Sequence, residues 1–223
     1  MAVREYYDDI ADQYDAVRYG RLYDRVTAEL ELRFAAAHLR PGPCLEVGAG
    51  TGRVTTFLLA GGHDVMAVDI SSGMLAKLRD KVPGHPRLRT QVLDIHELQA
   101  VEGFGEFPTV VALRILPHVP DPVRAIEKLR DAASATGVVV LDLWNKWSHR
   151  PLLAALGLSP ITVETRYDRI RDMRRMIAEA GLHVRQWRGF GLPHLRPLLA
   201  LERSRRLRCD YLAQRIVWVC ERA

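Results

Sequence analysis

The sequence predicts an α/β fold: a mainly parallel seven-stranded sheet, wound with helices on both faces and finished at one edge by an antiparallel hairpin. Two observations carry this. Five apolar, β-rich runs near 43–47, 64–69, 87–93, 108–113 and 137–143 alternate with helical segments near 52–61, 72–81, 95–100 and 122–132. That alternation is the signature of a parallel sheet buried on both sides. A further helix over 168–180 closes at Gly181, and two strand-like runs follow, Leu182 to Gly189 and Gln214 to Cys220. With Pro193 and Pro197 rather than a helical pattern between them, these two read as the edge hairpin.

Before the sheet come two helices. Val3, Tyr6, Tyr7, Ile10, Tyr14 and Val17 recur at helical spacing with acids between them, which predicts one amphipathic helix over 3–17. A second runs from about Leu22 to Leu39 and is stopped by Pro41-Gly42-Pro43. After Leu143 the strand–helix alternation breaks. Trp144 to Ser159 is aromatic, basic and proline-punctuated, and reads as an insertion over the site. The expected organisation is one domain over 1–223: N-terminal helices 1–40, a ligand-binding core 41–143, and cap segments 144–165 and 190–212.

The 223 residues and 48% apolar content suit a single globular core. Cys44, Cys209 and Cys220 are far apart with no C-x-x-C spacing, which suits reduced thiols. The N-terminal residues lack a basic-then-apolar leader pattern, and no apolar run reaches the roughly 20 residues of a membrane span. A cytoplasmic protein is expected, a monomer or homodimer.

Chemistry concentrates at Leu45-Glu46-Val47-Gly48-Ala49-Gly50-Thr51-Gly52-Arg53, where an apolar strand enters a glycine turn and then a helix. Missing Cβ atoms admit a ligand close to the backbone, and the helix N-terminus offers unpaired N–H groups. The pattern is G-x-G-x-G, with Arg53 where a dinucleotide fingerprint has its third glycine. Glu46 beside the loop is a poor neighbour for phosphates and suits a ligand with an ammonium and a sulfonium. No Lys-Ser/Thr follows, which excludes a Walker A loop. Seventeen residues after Gly52, the run Val65 to Val68 ends in Asp69, suited to both ribose hydroxyls, with Ile70 next to meet an adenine face. A third run ends in Asp94, an acceptor for the adenine amino group.

These motifs, in this order, resemble the class I S-adenosylmethionine-dependent methyltransferases, particularly their small-molecule, natural-product and metabolite members. The resemblance covers roughly the first two-thirds of the chain and implies a Rossmann-like, doubly wound fold with S-adenosylmethionine as cofactor. The glycine loop matches the family's first motif, giving Glu46, Gly48, Ala49, Gly50 and Gly52 as cofactor contacts. Asp69 matches its ribose acid, Asp94-Ile95 its adenine contact, and Ile70 and Met74 complete the adenosine side. Residues 10–15 resemble the family's approach helix, and by resemblance Tyr14 covers the cofactor.

Phe107 to Pro122 resembles the fourth strand and the loop beside the transferred methyl. His118 is the candidate general base, either in that role or as a structural residue; proline stands where family members often carry a first histidine. Arg114 follows strand four, where the family generally has a small or apolar residue. It either clamps a substrate anion through its planar fork or pairs with Glu46 or another acid. Tyr19, Trp144 and His149 are further candidate substrate contacts, with His194 in the second cap segment. Strand four ends in Leu113-Arg114, an unsuitable neighbour for a cation, so no metal is expected.

Net charge is +5, and twelve arginines against four acids lie between Arg166 and Arg208. This stretch reads as a solvated face and a lid over an anionic substrate, with weak anionic-surface contact as the alternative. Aromatic residues suited to base stacking are sparse there, so no nucleic-acid partner is expected. The expected reaction is O-methylation of a small molecule bearing an anionic group, with N-methylation next. A lipid or quinone acceptor, or a non-catalytic cofactor-binding subunit, are the alternatives.

Overall fold

The computed structural model describes residues 3–156, 165–192 and 210–223. His194, Pro193, Pro197 and Cys209 lie outside the described residues, as do 157–164 of the first expected cap segment and 193–209 of the second. Three helices, α1 (Val3–Ile10), α2 (Tyr14–Tyr19) and α3 (Leu22–Ala36), precede the sheet. Then come β1 (Cys44–Val47), α4 (Arg53–Ala60), β2 (Val65–Asp69), α5 (Ser72–Lys81), β3 (Leu88–Val92), β4 (Phe107–Ala112), α6 (Pro122–Ala132) and β5 (Ala133–Trp144). The remainder is α7 (His149–Ala155), α8 (Ile170–Glu179), β6 (Leu182–Phe190) and β7 (Arg215–Arg222).

The sheet order is β3-β2-β1-β4-β5-β7-β6. β1 pairs parallel with β2 and β4, β2 with β3 and β4 with β5, whereas β7 is antiparallel to both β5 and β6. The seven strands and the antiparallel edge are those the sequence predicts. Two cores cover the faces. Phe34, Leu58, Leu75 and Leu78 from α3, α4 and α5 pack on one side. Ile126 and Leu129 of α6, Met173 and Ile177 of α8, and Trp218 of β7 pack on the other.

Helix starts follow local chemistry. Ser71 caps α5 by accepting from Met74 N at 3.0 Å, and Asp121 caps α6, with Pro122 at its first turn, by accepting from Arg124 N at 3.1 Å.

Several boundaries differ from expectation. The single helix over 3–17 is two, broken at residues 11–13, where Ala11 is buried against Gly73. The break lets acids from both pieces reach the sheet side. Asp8 Oδ1 accepts from Gly73 N at 2.9 Å and also from Ser71 Oγ, and Asp15 Oδ1 accepts from Thr51 Oγ1 at 2.6 Å. The second helix ends at Ala36, short of Leu39. Residues 95–100 form a 3-10 turn. β5 starts earlier than residue 137 because its ladder with β4 shifts register around Pro108, which has no N–H to donate. Trp144 belongs to β5 rather than to an insertion, and Asn145 after it is buried, donating to Tyr211 O at 2.8 Å and Ala213 O at 3.0 Å.

Candidate active site

A cavity of about 240 Å³ opens at the C-terminal ends of β1, β2 and β4, beneath α1 and α2. This is where parallel sheets place ligands, since helix N-termini and short loops converge there. The turn after β1 is its floor. Gly48 and Ala49 donate to Val68 O at 2.8 and 3.1 Å, which ties the turn to β2. Gly50 has φ 55° and a Cβ there would meet no atom within 4 Å, so its backbone faces open space.

Asp69, at the end of β2, lines the same cavity. Its carboxylate accepts from Gly50 N at 2.8 Å and Ser71 N at 2.9 Å, so its orientation is set by backbone rather than by side chains. Burial pushes its carboxyl above the ordinary range, against those two bonds. Glu46 is the anomaly of β1: an acid in the central strand, 2% exposed, accepting from Thr55 Oγ1 at 2.6 Å. Burial raises its carboxyl to about 8.

Ile70, Met74, Asp94, Ile95 and His96 form the wall beyond Asp69. Asp94 accepts from His96 N at 2.9 Å, capping the 95–100 turn. Opposite lie Tyr7, Tyr14, Tyr19, Arg53, Arg114 and His118. Burial pushes the Tyr14 phenol up to about 12. Arg114 is the one non-glycine residue with positive φ (68°) among the described residues, and its N–H donates to Asp142 Oδ1 at 2.6 Å. Its guanidinium does not pair with Glu46. It donates to Glu31 Oε2 and to Tyr19 OH, both at 2.9 Å.

His118 ends the 3-10 turn Leu116–His118 and faces the cavity, its ring 6.2 Å from that of Tyr7 and 5.8 Å from that of Trp144. Trp144 and His149 do not line the cavity. Trp144 is 8% exposed and packs between His118 and Tyr167, behind the wall. His149 begins α7, half-buried.

Known proteins bear directly on this site. Residues 45–139, the span from β1 into β5, match the protein family described as "Methyltransferase domain". A ubiquinone biosynthesis O-methyltransferase of Methylococcus capsulatus is 28% identical over 57% of this chain and 55% of its own length. The chain thus matches about half the length of that relative. A demethylmenaquinone methyltransferase of Beutenbergia cavernae is 28% identical over 90% of this chain and 89% of its own. In three dimensions, the CcbJ methyltransferase of Streptomyces caelestis superposes with a TM-score of 0.72 at 23% identity, over 97% of this chain and 98% of that one. Residues 45–139 carry a methyltransferase domain, and the whole chain has the fold of these methyltransferases.

The residues present fit S-adenosylmethionine, the cofactor of such domains. An open backbone at Gly50, a buried acid at Glu46 and a backbone-oriented carboxylate at Asp69 match a cationic amino-acid end and a ribose in turn. When bound, S-adenosylmethionine supplies an electrophilic methyl group on a positively charged sulfur. The motif residues named from sequence all converge on the cavity, Gly52 excepted. That glycine instead starts α4 with φ 88°, pressed against Leu78. Missed were Tyr7, Arg53 and His96 on the wall, and Glu31 and Arg215 behind it. An acid in the apolar stripe of α3, beside Ala28, Leu32 and Ala35, is the signal that could have found Glu31.

Proposed function

We propose that this methyltransferase moves the cofactor methyl to a small-molecule acceptor, with O-methylation of a metabolite or natural product bearing an anionic group ahead of N-methylation. The observation that carries the reading is one cavity combining a cofactor floor (Glu46, Gly50, Asp69) with a base-type side chain and arginines on the opposite wall (His118, Arg53, Arg114). In this reading the glycine turn, Asp69 and Glu46 hold the cofactor, and Tyr7 and Tyr14 shield it from water. His118 takes the hydroxyl proton of the acceptor as its oxygen attacks in line, and no metal takes part.

Two measurements test it. Asp69→Ala should weaken cofactor binding by about 1.5–3 kcal/mol, as lost charge-assisted hydrogen bonds do, while wild-type affinity for NAD stays negligible. A panel of phenolic and carboxylic acceptors should yield S-adenosylhomocysteine with at least one member, and His118→Ala should lower kcat more than it changes KM. Cofactor binding without turnover on any acceptor would favour a non-catalytic binding subunit.

A quinone or related apolar ring is the second reading. The relatives named for ubiquinone and menaquinone methylation favour it, as does the aromatic series Tyr7, His118, Trp144 and Tyr167 beside the cavity. Among the described residues no helix is long and apolar enough to cross a membrane. Turnover of hydroxylated quinols but not of acidic phenols would select this reading.

A further inference from the structure

Behind the wall that bears Tyr19, three arginines from separate parts of the chain bring their charges to one carboxylate. Glu31 of α3 is fully buried, and its Oε1 accepts from Arg215 Nε of β7 at 3.2 Å. Its Oε2 accepts from Arg114 Nη2 at 2.9 Å and from Arg53 Nη2, on α4, at 3.3 Å. Burial alone would raise Glu31, yet the three guanidiniums hold it down at about 2. The three cations meet one carboxylate, a formal excess of two positive charges. Asp142 accepts from Arg114 N rather than from any of the guanidiniums, and burial raises its carboxyl, so it offsets that excess only in part. Unbalanced charge in a poorly solvated wall is costly and is relieved by an arriving anion.

Glu31 and Arg215 do not reach the cavity, whereas Arg53, Arg114 and Tyr19 line it. The Arg114 and Arg53 guanidiniums stand 5.3 and 5.6 Å from the Tyr19 ring centre. Despite burial, those cations hold the Tyr19 phenol below its ordinary value. Tyr19 OH accepts from Arg114 Nη1 at 2.9 Å, which leaves its own proton to donate. Arg114 Nε is buried without a hydrogen-bond partner among the described residues. Donors of this kind on a planar fork match a carboxylate. A phosphate dianion fits less well, because Glu46 and Asp69 line the same cavity.

We propose that Glu31 is a positioning residue that holds Arg53, Arg114 and the Tyr19 hydroxyl as a seat for a carboxylate group. The carboxylate belongs either to the amino-acid end of the cofactor or to the methyl acceptor. The inference rests on the cavity being the S-adenosylmethionine site.

Calorimetry on the whole chain tests it without turnover. In the first arm, S-adenosylhomocysteine is compared with its decarboxylated analogue. Wild type should prefer the carboxylate by roughly tenfold to a hundredfold, the scale of charge-assisted hydrogen bonds. Glu31→Gln and Tyr19→Phe should shrink that preference without changing affinity for the decarboxylated analogue. Glu31→Gln leaves three buried cations together, so Tyr19→Phe carries the test if that variant does not fold. In the second arm, benzoate is titrated into protein saturated with S-adenosylhomocysteine. If the carboxylate is the acceptor's, the first-arm preference is absent and benzoate binding falls in the variants instead.

Equal weakening of both first-arm ligands would reduce Glu31 to a structural role and overturn the proposal. So would variants that change neither the preference nor benzoate binding. Failure of wild type to bind S-adenosylhomocysteine at all would overturn the cofactor reading itself, a different result from binding with no preference in either arm.

Discussion

At Gly52 a Cβ would come 2.3 Å from Leu78 Cδ1, on a backbone with φ 88°. Gly52→Ala therefore adds strain and overpacking together, and should cost about 2–4 kcal/mol by denaturant unfolding. Arg114 also occupies the left-handed region, and its N–H bond to Asp142 together with its side-chain bonds to Glu31 and Tyr19 offset the cost of about 1–2 kcal/mol for such a conformation. Glu46 makes a different kind of claim. Its carboxyl, raised to about 8, is largely protonated in the ligand-free protein at neutral pH, whereas a cationic ligand favours the carboxylate. Cofactor affinity should thus rise between about pH 6 and about 7.5, by at most about tenfold per unit. Glu46→Gln should flatten that profile in a pH series of binding isotherms.

Among the elements, α1 and α2 have few buried residues and are held mainly by carboxylates. Tyr7, Tyr14 and Tyr19 are no more than half-buried as residues, while Asp8 binds α5, Asp12 pairs with Lys77 at 2.5 Å, and Asp15 binds Thr51 and Lys81. Asp8→Ala should loosen this strap by about 1 kcal/mol. Amide exchange over residues 3–19 should speed up while β1 and β4 stay protected. A uniform change along the chain would argue against a separable strap. The acids were visible in the sequence, but the break after Ile10 was not, because apolar spacing alone continues smoothly to Val17. The buried strands β1, β2, β4 and β7, by contrast, were legible almost to the residue, since burial on both faces demands apolar runs. β5 is the exception, where Pro108 on its neighbour moved the ladder.

For the whole molecule, buried acids set the pH response. Glu46 and Asp142 titrate at about 8 and about 7 when folded, above their unfolded values, so the native state binds more protons across that window. Stability therefore falls as pH rises from about 4.5 towards 8. Glu31, at about 2, works oppositely, and its contribution is lost only as pH drops below its unfolded value. Ligand-free protein should melt highest near about pH 5, and a thermal series across pH checks it. The glycine turn, Asp69 and Asp94 were readable because each sits where a single strand ends. The Glu31 cluster was not, because Arg53, Arg114 and Arg215 reach it from 22, 83 and 184 residues away. That last separation has a consequence for synthesis. β7 comes last in the sequence, yet it lies between β5 and β6. A growing chain holds an open β5 edge until β7, through Arg222, has left the ribosome, so that edge needs protection until β7 docks, and ligand competence should wait for that docking.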